Sequence, residues 1–251
     1  MQRSQASCRH YDDLPRPGEG LDSCTREVIR LLPPLRTPPA ILGLGCRRGY
    51  QAITLAGHFK APVTVVDDDA QSLQRLTDAA HAAGVADLLQ TRVGAIDALE
   101  DAPQSYDLIW SETGVRRLGF TRALDLWQPL LRSRGVMVLG DCCWLVPDPP
   151  ADAAAFWDGI YPGMTDIASL HALAKRANMR IDDSYAIPRS VWRNEYFDPL
   201  ARRVARRRKE EAAPADSATL DMAEKEIAMF DRWGDRLQYT YFLLRRVQAT
   251  T

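Results

Sequence analysis

From Ala40 onward, short apolar runs alternate with stretches whose apolar residues recur every three to four positions. The runs at Ala40–Leu44, Val63–Val66, Leu88–Val93, Asp107–Trp110 and Gly135–Leu139 have the length of buried strands. Between them, Gln51–Ala56, Ala70–Ala82 and Arg122–Leu131 carry helical spacing. Such alternation predicts βαβ units and a parallel sheet covered by helices on both faces. After Pro150 the pattern changes. Ala151–Ile160 and Ile167–Ala177 predict helices and Arg180–Ala186 a strand, while Pro188–Gly234 holds long helical patterns broken over the polar Glu210–Thr219. Gln238–Val247 then alternates as a last strand, with Tyr239, Tyr241 and Leu243 on one side. Ahead of the alternation, Met1–Pro39 is polar and rich in Pro and Gly. It contains one helical stretch, Ser23–Leu32, with Val28, Ile29, Leu31 and Leu32 as its apolar face.

The expected fold is therefore α/β, with a seven-stranded, mostly parallel sheet, an antiparallel C-terminal strand and a helical cap. The expected divisions are an N-terminal lid segment (1–39), a cofactor-binding core (40–187), a helical cap insertion (188–236) and the final strand of the core (237–251).

Composition narrows the partners. Hydrophobic residues at 46% and charged residues at 26% are the balance of an ordinary soluble protein. The formal net charge is −1, so no global field attracts nucleic acid or an anionic membrane. Met1–His10 lacks the apolar core of a signal peptide, and no apolar run approaches a membrane span. The expected location is the cytoplasm, with no membrane partner and no nucleic-acid partner. Five cysteines, none in a CxxC pair, read as reduced thiols rather than as disulfides or a metal site. Arg202, Arg203, Arg206, Arg207, Arg208 and Lys209 form a basic cluster at helical spacing. Acids follow it at once and no aromatic residue is interleaved, so a solvated helix face is the better reading.

The chemistry lies at the predicted strand ends. Ile41-Leu42-Gly43-Leu44-Gly45-Cys46-Arg47-Arg48-Gly49 is a strand running through a glycine turn into a helix. Glycines there let the backbone pass close to a nucleotide-like ligand, and the helix start offers N–H donors. Val66-Asp67 ends the next strand, where an acid can accept both ribose hydroxyls of an adenosine, and Asp68 follows it. The bland alternative is a tight turn with a surface Asp. Asp97, after Gly94-Ala95-Ile96, could accept from an adenine amino group while Ile96 flanks the ring. Ligands of open α/β sheets sit outside the carboxyl ends of the strands, so Glu112 and Asp141 point toward the site whereas Asp107 begins its strand. Helix capping or solvated loops would equally account for Asp97 and Glu112.

In this order the motifs resemble those of class I S-adenosylmethionine-dependent methyltransferases, over nearly the whole chain from Pro15 to Val247. Ile109-Trp110-Ser111-Glu112, Phe156-Trp157 with Tyr161-Pro162, and Trp192 with Glu195-Tyr196 are more narrowly similar to a bacterial small-molecule subgroup. That subgroup is distantly similar to the ubiquinone-biosynthesis methyltransferases. Arg16-Pro17-Gly18-Glu19-Gly20 resembles its N-terminal glycine segment. The resemblance implies a Rossmann-like sheet, S-adenosylmethionine as cofactor, and methyl transfer to O, N or C of a small molecule. It places Gly43, Gly45, Gly49, Asp67, Asp68, Ile96, Asp97, Glu112, Arg16 and Gly18 around the cofactor. Two departures stand out: Gly43 where the family has an acid, and Arg47 where it has a glycine.

Methyl transfer from a sulfonium requires alignment and exclusion of water more than acid–base chemistry. The candidates for catalytic or positioning roles are Glu112, Tyr161 and Tyr196. Tyr11, Trp144, Trp157, Tyr161, Trp192 and Tyr196 would supply an apolar substrate pocket with polar tips, although cap-core packing explains such aromatics equally. His58, His81 and His171 read as structural. No metal is expected, and a homodimer is the assembly left open. Two other functions compete: a nicotinamide-dependent oxidoreductase, since the glycine turn and Asp67 also suit a dinucleotide, and a relic that has lost its cofactor.

Overall fold

The computed structural model describes residues 19–45, 49–210 and 214–247. Tyr11, Arg16, Gly18 and Arg47, all singled out above, lie outside them. Seven strands form one sheet: β1 (Ile41–Leu44), β2 (Val63–Asp67), β3 (Leu89–Val93), β4 (Tyr106–Ser111), β5 (Leu131–Trp144), β6 (Met179–Ala186) and β7 (Leu237–Arg246). Their order is β3-β2-β1-β4-β5-β7-β6. Pairings β3–β2–β1–β4–β5 are parallel, while β6 and β7 run antiparallel. A dinucleotide-binding sheet would follow β5 with a further parallel strand that completes its second mononucleotide-binding half. Here those positions hold the antiparallel β7–β6 pair, so the oxidoreductase alternative loses its architecture.

The sequence explains the elements. β1 and β4 are buried along their whole length, as strands covered on both faces must be. Helix α1 (Glu19–Leu31) turns Cys24, Thr25, Val28 and Ile29 inward, while Leu31 of the expected apolar face stays exposed. Helix α2 (Tyr50–Phe59) runs one turn past the expected Ala56. Helix α3 (Ala70–Ala82) has the expected bounds, because Asp69 caps it, accepting from the Gln71 N–H at 3.0 Å and the Ser72 hydroxyl at 2.7 Å. A five-residue helix, α4 (Gly114–Leu118), was not expected. Helix α5 (Phe120–Trp127) ends in a 3₁₀ turn, Gln128–Leu130, whose proline cuts the expected helix short. β5 begins at Leu131, well before the expected Gly135. Its polar start is held by Arg132, which pairs with the buried Asp107 at the beginning of β4. β7 buries Tyr241, Phe242, Leu243 and Leu244 in succession, because an interior strand has no solvent side.

The chain divides into two compact units. The sheet unit comprises Asp22–Asp141, Ile167–Ala186 and the chain from Tyr239. It includes α7 (Ile167–Arg176). The helical unit comprises Cys142–Asp166 and Ile187–Gln238, so 142–166 groups with the segment expected as the cap. It carries α6 (Ala151–Ile160), the short α8 (Arg189–Trp192), a π-helical turn at Arg193–Phe197, α9 (Asp198–Lys209) and α10 (Pro214–Trp233). α10 starts inside the stretch expected as a break. Leu200, Val204, Leu220 and Ala223 form the core between α9 and α10. Asp152 of α6 accepts from Arg232 and from the Trp233 indole.

Candidate functional site

The glycine turn is built as its sequence demands. Gly45 (φ +64°) and Gly49 (φ +70°) adopt left-handed backbone conformations that a side chain would strain. A Cβ on Gly49 would stand 2.3 Å from Leu76 Cδ1 of α3, so the chain entering α2 passes directly over that helix. Gly43 differs: it lies inside β1, and a Cβ there would meet only ordinary contacts at 3.6 Å or more.

Two residues to which the sequence reading gave no role fix this turn from the neighbouring strand. Ser111 Oγ donates to the Leu44 carbonyl at 2.9 Å and accepts from the Gly114 N–H. Thr113 Oγ1 donates to the Gly45 carbonyl at 2.6 Å. The Gly45 N–H donates in turn to the Val66 carbonyl at 3.0 Å, so the ends of β4, β1 and β2 form one hydrogen-bonded edge. The signal was present as Ser-x-Thr-Gly after a strand, but its meaning requires β4 to lie beside β1.

The acids then sort by their partners. Asp67 ends β2, is buried, and accepts from the Asp69 N–H at 2.9 Å. Asp68 pairs with Arg117 of α4 through both carboxylate oxygens. Burial raises its pKa, but the Arg117 hydrogen bonds and charge outweigh this and hold it below the usual carboxylate range. Asp97 pairs with Arg122 at 3.0 Å on a half-exposed surface. Ile96 is buried beside Gly114, and its carbonyl accepts from the Trp127 indole at 2.8 Å. Asp141 lies within β5, buried rather than beyond the strand end.

Glu112 immediately follows β4. Its Oε1 accepts from the Trp110 indole at 3.2 Å and the Tyr241 hydroxyl at 3.1 Å, and its carbonyl accepts from Tyr239. Burial first, and the Glu112 charge second, push the Tyr241 phenol well above its ordinary pKa, so it stays a donor. The structure thus brings Gly45, Gly49, Asp67 and Glu112 to the carboxyl edge of the parallel strands.

Apart from Tyr11, which lies outside the described residues, the aromatic residues named for the substrate belong to the helical unit and form much of its interior. Trp144 and Trp157 join Ala153 and Leu237 in one core, with Trp192 packed against it. Trp157 Nε1 is buried without a hydrogen-bond partner among the described residues. Tyr161 is buried at the end of α6, its N–H on the Trp157 carbonyl. Tyr196, on the π-helical turn, packs against the α9–α10 core and donates to Glu226 at 3.0 Å, a buried carboxylate that the sequence reading took only as one of the acids following the basic cluster. His58 stacks edge-on against Phe59.

Residues 41–135 match the family profile described as methyltransferase domain. No curated protein matches the sequence. Several solved structures share the fold. A Galdieria sulphuraria protein assigned as a sarcosine dimethylglycine methyltransferase is 18% identical, with a TM-score of 0.73 over 91% of this chain and 85% of that one. A methyltransferase from Thiobacillus denitrificans, solved with S-adenosyl-L-homocysteine, is 15% identical, with a TM-score of 0.71 over 94% and 93%. The [4+2]-cyclase SpnF is 14% identical, with a TM-score of 0.72 over 91% and 81%. Residues 41–135 of this chain thus resemble a methyltransferase domain, and the chain shares the fold of these solved structures.

Proposed function

We propose that this protein transfers a methyl group from S-adenosylmethionine to a small organic acceptor in the cytoplasm. One observation carries the reading: within a methyltransferase domain, left-handed glycines at 45 and 49, the buried Asp67 and the fixed Glu112 share one sheet edge. These groups fit the cofactor. Gly45 and Gly49 leave the backbone open where side chains would strain it. Asp67 ends β2 as a buried carboxylate that accepts from the Asp69 N–H, at the place where such an acid accepts ribose hydroxyls. Asp97, paired with Arg122, would accept from the adenine amino group.

S-adenosylmethionine supplies a methyl group already activated on sulfur, so the protein's work is to align donor and acceptor and to exclude water. A small acceptor is supported by the compact substrate of the Galdieria protein's assigned activity. A cytoplasmic location is supported by the cysteines. Cys24, Cys142 and Cys143 form no disulfide, and burial raises the Cys24 thiol's pKa, which makes it unreactive. Among the described residues no helix is long and apolar enough to cross a membrane.

Calorimetric titration with S-adenosylmethionine, S-adenosylhomocysteine and NAD tests the reading. Saturable heat from the two sulfur compounds and none from NAD is expected. Binding of NAD alone would favour the oxidoreductase, and no binding at all would leave a fold that has lost its cofactor.

A further inference from the structure

The two outer strands of the sheet, β3 and β6, present different edges. β6 carries the marks of a protected one. Its pairing with β7 slips between Ile181 and Asp183, and Arg180, Asp182 and Asp183 stand along it. Asp182 is shared by Arg180 and Arg245, and the Asp183 carboxylate accepts from the Ser184 N–H at 2.8 Å. A bulge and a row of charges keep a foreign strand from docking. β3 has neither. It pairs with β2 in unbroken register from Leu89 to Val93, and its one charged residue, Arg92, is paired with Asp101. Its surroundings are apolar instead. Val93 is 63% exposed, more than any other large hydrophobic residue among those described, and Val85, Leu88 and Leu89 are half-buried just ahead of it.

The register also fixes which backbone groups of β3 face outward. The Gly94 N–H donates to the Asp67 carbonyl, so Gly94, and with it Arg92 and Gln90, turn their backbone groups toward β2. Leu89, Thr91 and Val93 turn theirs away from the sheet, although the Leu89 N–H is taken up by the Ala86 carbonyl. An antiparallel strand centred on Thr91 would pair best if it carried the same five residues: threonine opposite threonine, leucine opposite valine and glutamine opposite arginine. We propose that β3 pairs with β3 of a second copy of this chain, about a two-fold axis at Thr91. Thr91 then exchanges both its backbone bonds with Thr91 of the second copy, and each Val93 N–H reaches the Leu89 carbonyl across the axis. The facing pairs are apolar or threonine, and no arginine opposes an arginine. The surface is self-complementary, as a two-fold interface must be, and one sheet runs through both copies. This assignment is independent of the cofactor reading.

Sedimentation equilibrium of the full chain is expected to give twice the chain mass at micromolar concentration. Thr91→Pro removes an N–H that faces away from β2, so it spares the existing ladder and is expected to give the monomer. Val93→Lys, at an exposed position, is expected to weaken the dimer tenfold or more. Thermal melting checks that both variants fold, and should Thr91→Pro not, Val93→Lys decides. Cross-linking tests the register. Paired Thr91 residues stand about 5.5 Å apart between Cα atoms, within reach of a disulfide, whereas the two Gln90 residues are diagonal and farther apart. Under mild oxidation, Thr91→Cys is expected to give a covalent dimer on non-reducing electrophoresis, and Gln90→Cys no more of it than the parent. A parent chain that stays monomeric, or a dimer that neither Thr91→Pro nor Val93→Lys weakens, overturns the proposal. Cross-linking from position 90 as strong as from position 91 overturns it too.

Discussion

Asp67 and Asp68 are adjacent in sequence but differ in what holds them. Asp67 is buried at the end of β2 with a backbone N–H on one oxygen, whereas Asp68 is tied by both oxygens to Arg117 across a half-exposed surface. Asp67→Ala should therefore weaken S-adenosylmethionine by about 2 kcal/mol, the scale of hydrogen bonds to a charged group. Unchanged affinity in a folded variant removes Asp67 from the site. Asp68→Asn breaks an exposed ion pair worth about 0–1 kcal/mol and should barely move the melting temperature. A third acid acts through a phenol. Tyr106 donates to Asp101 at 2.6 Å, and its pKa is pushed up to about 12, by burial first and by the bond to Asp101 second. The folded pKa lies above the unfolded value near 10. The stability this phenol contributes is therefore complete below about pH 10 and is lost as pH rises toward 12. Urea unfolding across that window should show a smaller loss for Tyr106→Phe than for the parent. An equal loss would place the titrating group elsewhere.

Elements acquire their roles through their neighbours, and there the sequence was legible only in part. Ala70–Ala82 and Ala151–Ile160 were readable to the residue, because a capping Asp69 and a preceding Pro150 mark their starts in the chain itself. β5 was read as starting at Gly135, where its apolar run begins, which leaves out the polar Arg132–Arg134. A polar strand start makes sense only once Asp107 of β4 stands beside Arg132. Gly45, Gly49, Asp67 and Glu112 were readable as strand-end residues from the alternation alone. What fixes Glu112 was not, since Tyr239 and Tyr241 reach it only because β7 follows β5 in the sheet, an order no local pattern encodes. Gly140 makes this testable at the level of strands. Gly140→Ala should destabilise the fold by about 1–3 kcal/mol through overpacking against Tyr239. Combined with Tyr239→Phe, which removes the clashing hydroxyl, it should cost less than the sum of the two single changes. Additive losses in chemical denaturation would mean that the two positions do not meet.

At the scale of the whole molecule the question is what a chain of near-zero net charge does with a run of six basic residues. Arg202, Arg203, Arg206, Arg207, Arg208 and Lys209 all fall on α9, and the helix that follows it is acidic where the two pack. Arg208 bridges Asp221 and Glu224 of α10, and Arg206 reaches Glu210 at 3.9 Å. A guanidinium already engaged by two carboxylates gains little by exchanging them for a phosphate. The formal charge of −1 gives no long-range field to collect a polyanion. Nucleic-acid affinity grows with the number of phosphates neutralised and falls steeply with salt. With Arg208 engaged by two carboxylates and no long-range field to collect a polyanion, α9 should give no saturable binding to a duplex DNA or RNA oligonucleotide in fluorescence anisotropy at physiological ionic strength. Asp221→Asn combined with Glu224→Gln should create weak, salt-sensitive binding by releasing Arg208. If the parent chain binds with a steep salt dependence that Arg208→Ala reduces, the basic face of α9 is a nucleic-acid surface. The acceptor of the methyl group would then have to be sought among larger molecules than the small one proposed.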